Sequence, residues 1–257
     1  MTQAQSLLRP VSPEPSLSRN KGELQRTLFT SEEGASLPAS IDWEAKGAVT
    51  RVYKQGVCAA CWSFAATGAM EGAFFIKTGN LTAFSQQNIL NCDHHQYDNW
   101  CHGTWYGMDS AFSWIVENGG LCTEKDFPYR GNNSTQCAPC SKVRGSKPTG
   151  VRDVGKNEAA LLAAVAQQPV AVVIDASCPG WMQYKGGVWS KDCGTKLDHA
   201  VLVVGYGHDA GKDYWKVKNS MGVEWGERGY IRLERGLRGQ GGRGICDIAA
   251  NASFPIF

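Results

Sequence analysis

Three side chains, widely separated in the 257 residues, could perform acyl transfer together: Cys61, His199 and Asn219. A thiolate attacks a carbonyl carbon, an imidazole takes and returns a proton, and an amide fixes the imidazole. Cys61 stands between Ala60 and Trp62, where a helix is predicted to start. A helix N-terminus offers unpaired N–H groups and a partial positive charge, and both favour a thiolate over a thiol. His199 lies 138 residues downstream, at the head of a predicted strand, and Asn219 follows at the end of another. Taken singly, each has a plainer reading. A buried cysteine is usually a small hydrophobe or half a disulfide, a strand histidine is usually structural, and an Asn before Ser usually turns the chain.

The surrounding pattern predicts the elements that must bring these residues together. From 61 to 78 the sequence reads as a helix with Phe64, Ala65, Ala69, Ala73 and Ile76 on one side. Gly68 and Gly72 permit close packing there at some cost in helix propensity. A short helix is predicted over 85–91 with Ser85 as N-cap. Met108, Ala111, Phe112, Ile115 and Val116 follow a helical period that Gly119 and Gly120 end. After a helix over 157–167 the character changes. Apolar, β-branched runs at 170–174, 199–204, 214–217 and 230–233 are punctuated by glycines. A helical half followed by a strand half is an α+β arrangement in two lobes, and clefts between lobes are common ligand sites. Residues 1–36, with Pro10, Pro13 and Pro15 and no sustained period, read as a flexible tail or the remnant of a prosegment.

Composition excludes several classes. The net charge of +2 argues against a nucleic-acid binder. No run of 18 apolar residues exists to cross a membrane as a helix. Ten cysteines are more than a chain of this length needs for holding a core together. They point to disulfides in an oxidising compartment or to metal and catalytic sites in a reducing one. Sequons at Asn80, Asn132, Asn133 and Asn251 favour the first only slightly. The start of the sequence, MTQAQSLLRP, has no apolar signal-peptide core.

Local sequence around the three residues carries a resemblance. QGVCAACWSF over 55–64 resembles the active-site segment of papain-like cysteine proteases of the cathepsin L-like type. LDHAVLVVGYG over 197–207 resembles their histidine segment, and YWKVKNS over 214–220 with WGERGYI over 225–231 their asparagine segment. Residues 38–49 resemble the mature N-terminus of the family and 252–255 its C-terminus, so the likeness covers roughly 37–257. The Cys…His…Asn spacing is the one known for papain and the cathepsins.

The resemblance implies a papain-like two-lobe fold. Its helical lobe would span about 37–149 and its antiparallel, β-barrel-like lobe about 150–257, with terminal segments crossing over and the active site in the cleft. It implies a cysteine endopeptidase in which Cys61 attacks as a thiolate, His199 forms the ion pair and protonates the leaving amine, and Asn219 orients the imidazole. Gln55, six residues before Cys61, would donate its amide to the oxyanion together with the backbone N–H of Cys61. One such donor is worth about 3–4 kcal/mol. No cofactor and no metal is implied. Partners would be polypeptide substrates, an inhibitory prosegment or cystatin-type inhibitors, with a monomeric chain in a secreted, lysosomal or vacuolar setting.

In this family the main specificity pocket takes the residue second before the cut. Asn251 would form its floor and Met108, Val173, Ala176 and Leu197 its walls, which predicts an apolar preference and an Asn251 without glycan. Asp198 and Trp225 are further substrate-side residues implied by the likeness. Gly103 and Gly107 are candidates for the glycines that bind substrate backbone, in a segment, 101–110, about two residues longer than the usual Cys-Asn-Gly-Gly run. Ala59 replaces a usual glycine, costing about 1 kcal/mol if the site needs positive φ. Met221 replaces a tryptophan that shields the His–Asn bond, leaving a flexible apolar cover.

Competing readings are a zinc module, a non-catalytic binding protein and an exopeptidase. Cys58-x-x-Cys61 and Cys137-x-x-Cys140 have the grammar of a tetrahedral zinc site, with His94, His95 and His102 as added ligands. The two pairs are separated by 75 residues, and Cys61 belongs to a far more specific motif. A binding protein that had abandoned catalysis would have lost a catalytic group, and none is lost. His94-His95 falls inside the nine-residue interval from Cys92 to Cys101, too short for an exopeptidase capping loop. The likeness implies bridges Cys58–Cys101, Cys92–Cys137 and Cys193–Cys246, with Cys122–Cys140 as a fourth. Cys178 is then left over.

Overall fold

The computed structural model describes residues 25–33, 36–93, 101, 108–132, 136–236 and 242–257. Helix α1 (Cys61–Thr78) forms over the run CWSFAATGAMEGAFFIKT, whose alanines are strong helix formers. It ends at Gly79, left-handed at φ 76°, where the cap N–H donates to Phe75 O. Ser85 caps α2 (Gln86–Cys92) by accepting from the N–H of Asn88. α3 (Met108–Glu117) follows. Asn157 caps α4 (Glu158–Gln167) through the N–H of Ala160.

The sheet strands are β1 (Gln25–Phe29), β2 (Ile41–Asp42), β3 (Gly150–Val154), β4 (Val170–Ile174), β5 (Val188–Trp189), β6 (His199–Asp209), β7 (Lys212–Lys218), β8 (Tyr230–Glu234) and β9 (Asn251–Ile256). Their order is β1-β3-β9-β4-β6-β7-β8-β5, with β2 pairing β6 off that path. Most pairs are antiparallel, but β1–β3 and β5–β8 are parallel. Residues of β4 are all buried, because β4 lies between β9 and β6 and is covered by α1. This is an α+β fold with helices α1 to α3 in the first half and most of the sheet in the second.

Within residues 1–36, expected to be a flexible tail or the remnant of a prosegment, Gln25–Phe29 is a strand on β3, followed by a 3-10 turn at Ser31–Glu33. Phe29 is buried edge-on against Phe254, and Arg152 pairs with Glu33. The strand shows one buried residue in five, so no hydrophobic period marked it. The strand predicted over 199–204 continues to Asp209. Gly205 sits inside the strand, where a Cβ would collide with the carbonyl of Ile41 in β2.

Helix α1 packs directly on β6. A Cβ on Gly68 would lie 2.8 Å from Leu202 Cδ2, so glycine sets the closeness of the two elements. Bridges tie the helical half: Cys58–Cys101, Cys92–Cys137 and Cys122–Cys140, with Cα separations of 4.4, 4.8 and 6.1 Å. Such bridges are typically worth about 2–4 kcal/mol each. Cys178 is not isolated, as the count had left it, because Cys193 lies within bridging distance. No helix among the described residues is long and apolar enough to cross a membrane.

Candidate active site

Cys61 is the first residue of α1 and is a buried free thiol. Ala60 at the N-cap supplies no side chain to the helix end. Backbone N–H groups of Ala200, Trp62 and Cys61 itself favour the thiolate electrostatically. The contact to Ala200 places the sulfur beside the residue that follows His199. Burial dominates the thiol and pushes it up to about 11, against those three donors.

His199 opens β6 and is buried. Its Nε2 lies 2.8 Å from Asn219 Oδ1. That same Oδ1 accepts the backbone N–H of Ser220 at 2.8 Å, which identifies it as the oxygen. Nε2 must therefore carry the hydrogen, and the neutral ring keeps its lone pair on Nδ1. Nδ1 is buried and has no partner among the described residues. Burial pulls His199 down to about 4, with Asn219 opposing. A proton moved from sulfur to ring creates both charges together, and each then offsets the burial cost of the other.

Gln55 is buried and held at four points. Its N–H donates to Ser220 O at 2.8 Å, and its O accepts from Tyr129 Oη at 2.7 Å. Its Nε2 donates to Cys58 O at 3.0 Å, which fixes the amide orientation because a carbonyl can only accept. Ser220 Oγ occupies Oε1. One N–H of the amide remains to meet a developing oxyanion.

Of the residues expected to line a pocket, Val173 pairs with both Ala200 and Asn251, so these three share one face in a row across β6, β4 and β9. Val173 and Ala200 are buried and Asn251 is half-buried. Ala176 is held by its N–H to Asp198 Oδ1 at 2.8 Å, and Leu197 adjoins them in sequence. Asp198 is pushed up to about 7 by burial, with the neighbouring Asp175 adding to the rise. Met108 is buried at the start of α3. Trp225 is buried in an aromatic cluster with Trp181 and Tyr184, at centroid distances of 5.7 and 5.6 Å. Gly103, Gly107, His94, His95 and His102 lie outside the described residues. Ala59 does not adopt positive φ, so the cost anticipated for it does not arise.

A family model for papain family cysteine proteases matches residues 37–256. The chain belongs to the papain family. It is 44% identical over 221 residues to cysteine proteinase COT44 of Brassica napus, covering 86% of this chain and 66% of that relative. The chain thus spans slightly under two thirds of that relative's length. Among solved structures, the ragweed pollen allergen Amb a 11, a cysteine protease in its proform, superposes with a TM-score of 0.80 at 42% identity, over 87% of this chain and 66% of that one. Bromelain protease from Ananas comosus, in complex with the E64 inhibitor, gives 0.79 at 40%, over 86% and 100%.

Several parts of this papain-family site escaped the sequence reading. Ser220 ties Gln55 to Asn219, Tyr129 anchors Gln55, and Ala200 contributes both a donor to Cys61 and a pocket wall. Behind them, Lys218 Nζ donates to Thr50 O at 2.8 Å and to its Oγ1 at 3.1 Å. Thr50 Oγ1 in turn donates to Glu71 Oε2 at 2.6 Å. This buried chain links β7, which ends beside Asn219, to α1, which begins with Cys61. A lysine inside an apolar strand pattern, next to the motif asparagine, was the available signal.

Proposed function

We propose that this protein is a cysteine endopeptidase acting through a Cys61 thiolate and a His199 imidazolium. The observation that carries the reading is the 2.8 Å contact between His199 Nε2 and Asn219 Oδ1, which leaves Nδ1 to exchange the proton. Thiolate attack on the scissile carbonyl moves the π pair onto oxygen. The Gln55 amide and the Cys61 backbone N–H receive that oxyanion. Its collapse expels the amine, which takes the proton from Nδ1, and a thioester to Cys61 remains. Water, giving a proton back to Nδ1, then releases the carboxylate and regenerates the thiol pair.

The row Val173, Ala200, Asn251 supports an apolar preference at the residue second before the cut. Its only polar group is an uncharged amide, so an arginine there finds no counter-charge. Met108, Ala176 and Leu197 extend that pocket, while Asp198, whose Oδ1 accepts the Ala176 N–H, and Trp225 are further substrate-side residues. Three bridges in the helical half support an oxidising setting, secreted or vacuolar. The proform of the ragweed relative supports regulation by a prosegment. A monomer suffices, since one chain supplies every group named.

A peptidyl epoxide of the E-64 type should add once, on Cys61, to the reduced protein, and not to the Cys61→Ala variant. Fluorogenic peptides with Leu, Val or Phe second before the cut should be cleaved faster than those with Arg. A protein that takes up the label yet cleaves no peptide would be a binding protein on this fold.

A further inference from the structure

Cys178, Cys193 and Cys246 bring three sulfurs within 4.8 Å of one another. The Cα of Cys193 lies 4.6 Å from that of Cys178 and 4.5 Å from that of Cys246. Both spans fall in the range that a disulfide closes without backbone movement. A sulfur forms one disulfide, so Cys193 has two partners in reach and valence for one. The cluster therefore holds one bridge and one thiol at a time, and no step of the proposed peptidase chemistry uses it.

We propose that this cluster is a thiol–disulfide exchange site whose third thiol is taken up by small-molecule disulfides. In the exchange, Cys178 loses its proton to solvent and its thiolate attacks Cys193 Sγ. The Cys178–Cys193 bond forms as the Cys193–Cys246 bond breaks, and the electron pair leaves on Cys246, which takes up a proton. No oxidant is consumed. The two states differ in exposure: Cys178 and Cys193 are partly exposed, whereas Cys246 is fully buried. With Cys193 bridged to Cys246, the thiol left over is Cys178, which is partly exposed. Its thiolate attacks a disulfide RSSR, a Cys178–SR bond forms and RS⁻ leaves. With Cys193 bridged to Cys178, the thiol left over is Cys246, sheltered from reagents. Exchange thus presents or hides a modifiable thiol. It does so beside the cleft, since Asp175 N–H donates to Cys246 O at 2.9 Å and Cys178 is two residues beyond Ala176.

The test uses the full chain with Cys61→Ala, which removes the other thiol and makes the readout independent of peptidase activity. The protein is trapped in acid and its bridges are mapped by mass spectrometry, before and after incubation with oxidised glutathione. Both bridges, Cys178–Cys193 and Cys193–Cys246, are expected in the untreated sample. A single glutathione on Cys178, with Cys193–Cys246 intact, is expected afterwards. Adding Cys178→Ser should abolish the adduct and leave only Cys193–Cys246. Adding Cys246→Ser should leave Cys178–Cys193 and no adduct. A single bridge isomer with no glutathione uptake overturns the proposal. So does one equivalent of bound zinc with no bridge among the three. If the Cys246→Ser protein does not fold, the mapping of the parent chain and of Cys178→Ser still decides.

Discussion

Ser220 gives its hydroxyl to Gln55 Oε1, and its backbone N–H to Asn219 Oδ1. One serine thus holds both the Gln55 amide and the Asn219 amide that contacts His199. Gln55→Ala should lower kcat/KM by about 100- to 1000-fold, the usual loss for one oxyanion donor. Ser220→Ala keeps the backbone N–H but frees the Gln55 amide, and about 1 kcal/mol, or fivefold, should be lost. In the Gln55→Ala background the serine has no amide to hold, so Ser220→Ala should cost little more. Steady-state kinetics on the four proteins measure the coupling. Equal losses in both backgrounds would show that the serine acts elsewhere.

The titration of His199 should depend on Cys61. Without a thiolate beside it, burial holds the imidazole near 4, well under its ordinary value of about 6.5. In the Cys61→Ala variant the ring should therefore titrate near pH 4 by NMR. In the intact protein the thiolate favours the charged ring and should raise it above the ordinary value. Stability follows the same groups. In the variant the unfolded chain binds the proton more readily than the folded one, so stability falls as pH drops from about 6.5 through 4. Matching titrations in the two proteins would rule out an ion pair.

Lys218 gives a prediction about the scaffold. Burial pulls its ammonium down and pushes the Glu71 carboxyl up, while each opposes the shift of the other. Lys218→Met should leave Glu71 and the Thr50 carbonyl buried without their partner, and should cost about 3–5 kcal/mol. Replacing Glu71 by Leu as well removes the orphaned charge and should recover a large part of that loss. Urea unfolding of the single and double variants measures it, and a double variant no more stable than Lys218→Met would exclude charge as the cause.

How much of this was legible in the sequence depended on the kind of signal. The helix beginning at Cys61 and the cap at Ser85 were readable because period and cap chemistry are local. The candidate catalytic residues stood out through the motifs around them. What escaped was set by contacts across the fold. β1 has one buried face residue, and β5 is two residues long, so neither shows a period. The continuation of β6 through Gly205 is decided by the approach of Ile41, 164 positions earlier. Counting cysteines left Cys178 over, whereas only the folded loops show that it shares Cys193 with Cys246.

Asp198 joins the pH behaviour of the fold to that of the site. Burial and the nearby Asp175 push its carboxyl up to about 7, from an unperturbed value of 3.8. Between those values the folded chain holds a proton that the unfolded chain has released. Stability should therefore fall as pH rises from about 4 through 7, because a charge must then be carried inside the protein. Asp198→Asn keeps an oxygen for the Ala176 N–H and cannot ionise. It should match the parent protein near pH 4 and exceed it in stability at pH 8, by urea unfolding. The effect on activity should run the other way. A carboxylate next in sequence to His199 favours the imidazolium, so the substitution should lower kcat/KM above pH 7 and change it little at pH 5, where the aspartic acid is already neutral. A variant that gains stability equally at both pH values would show that packing, not charge, is responsible.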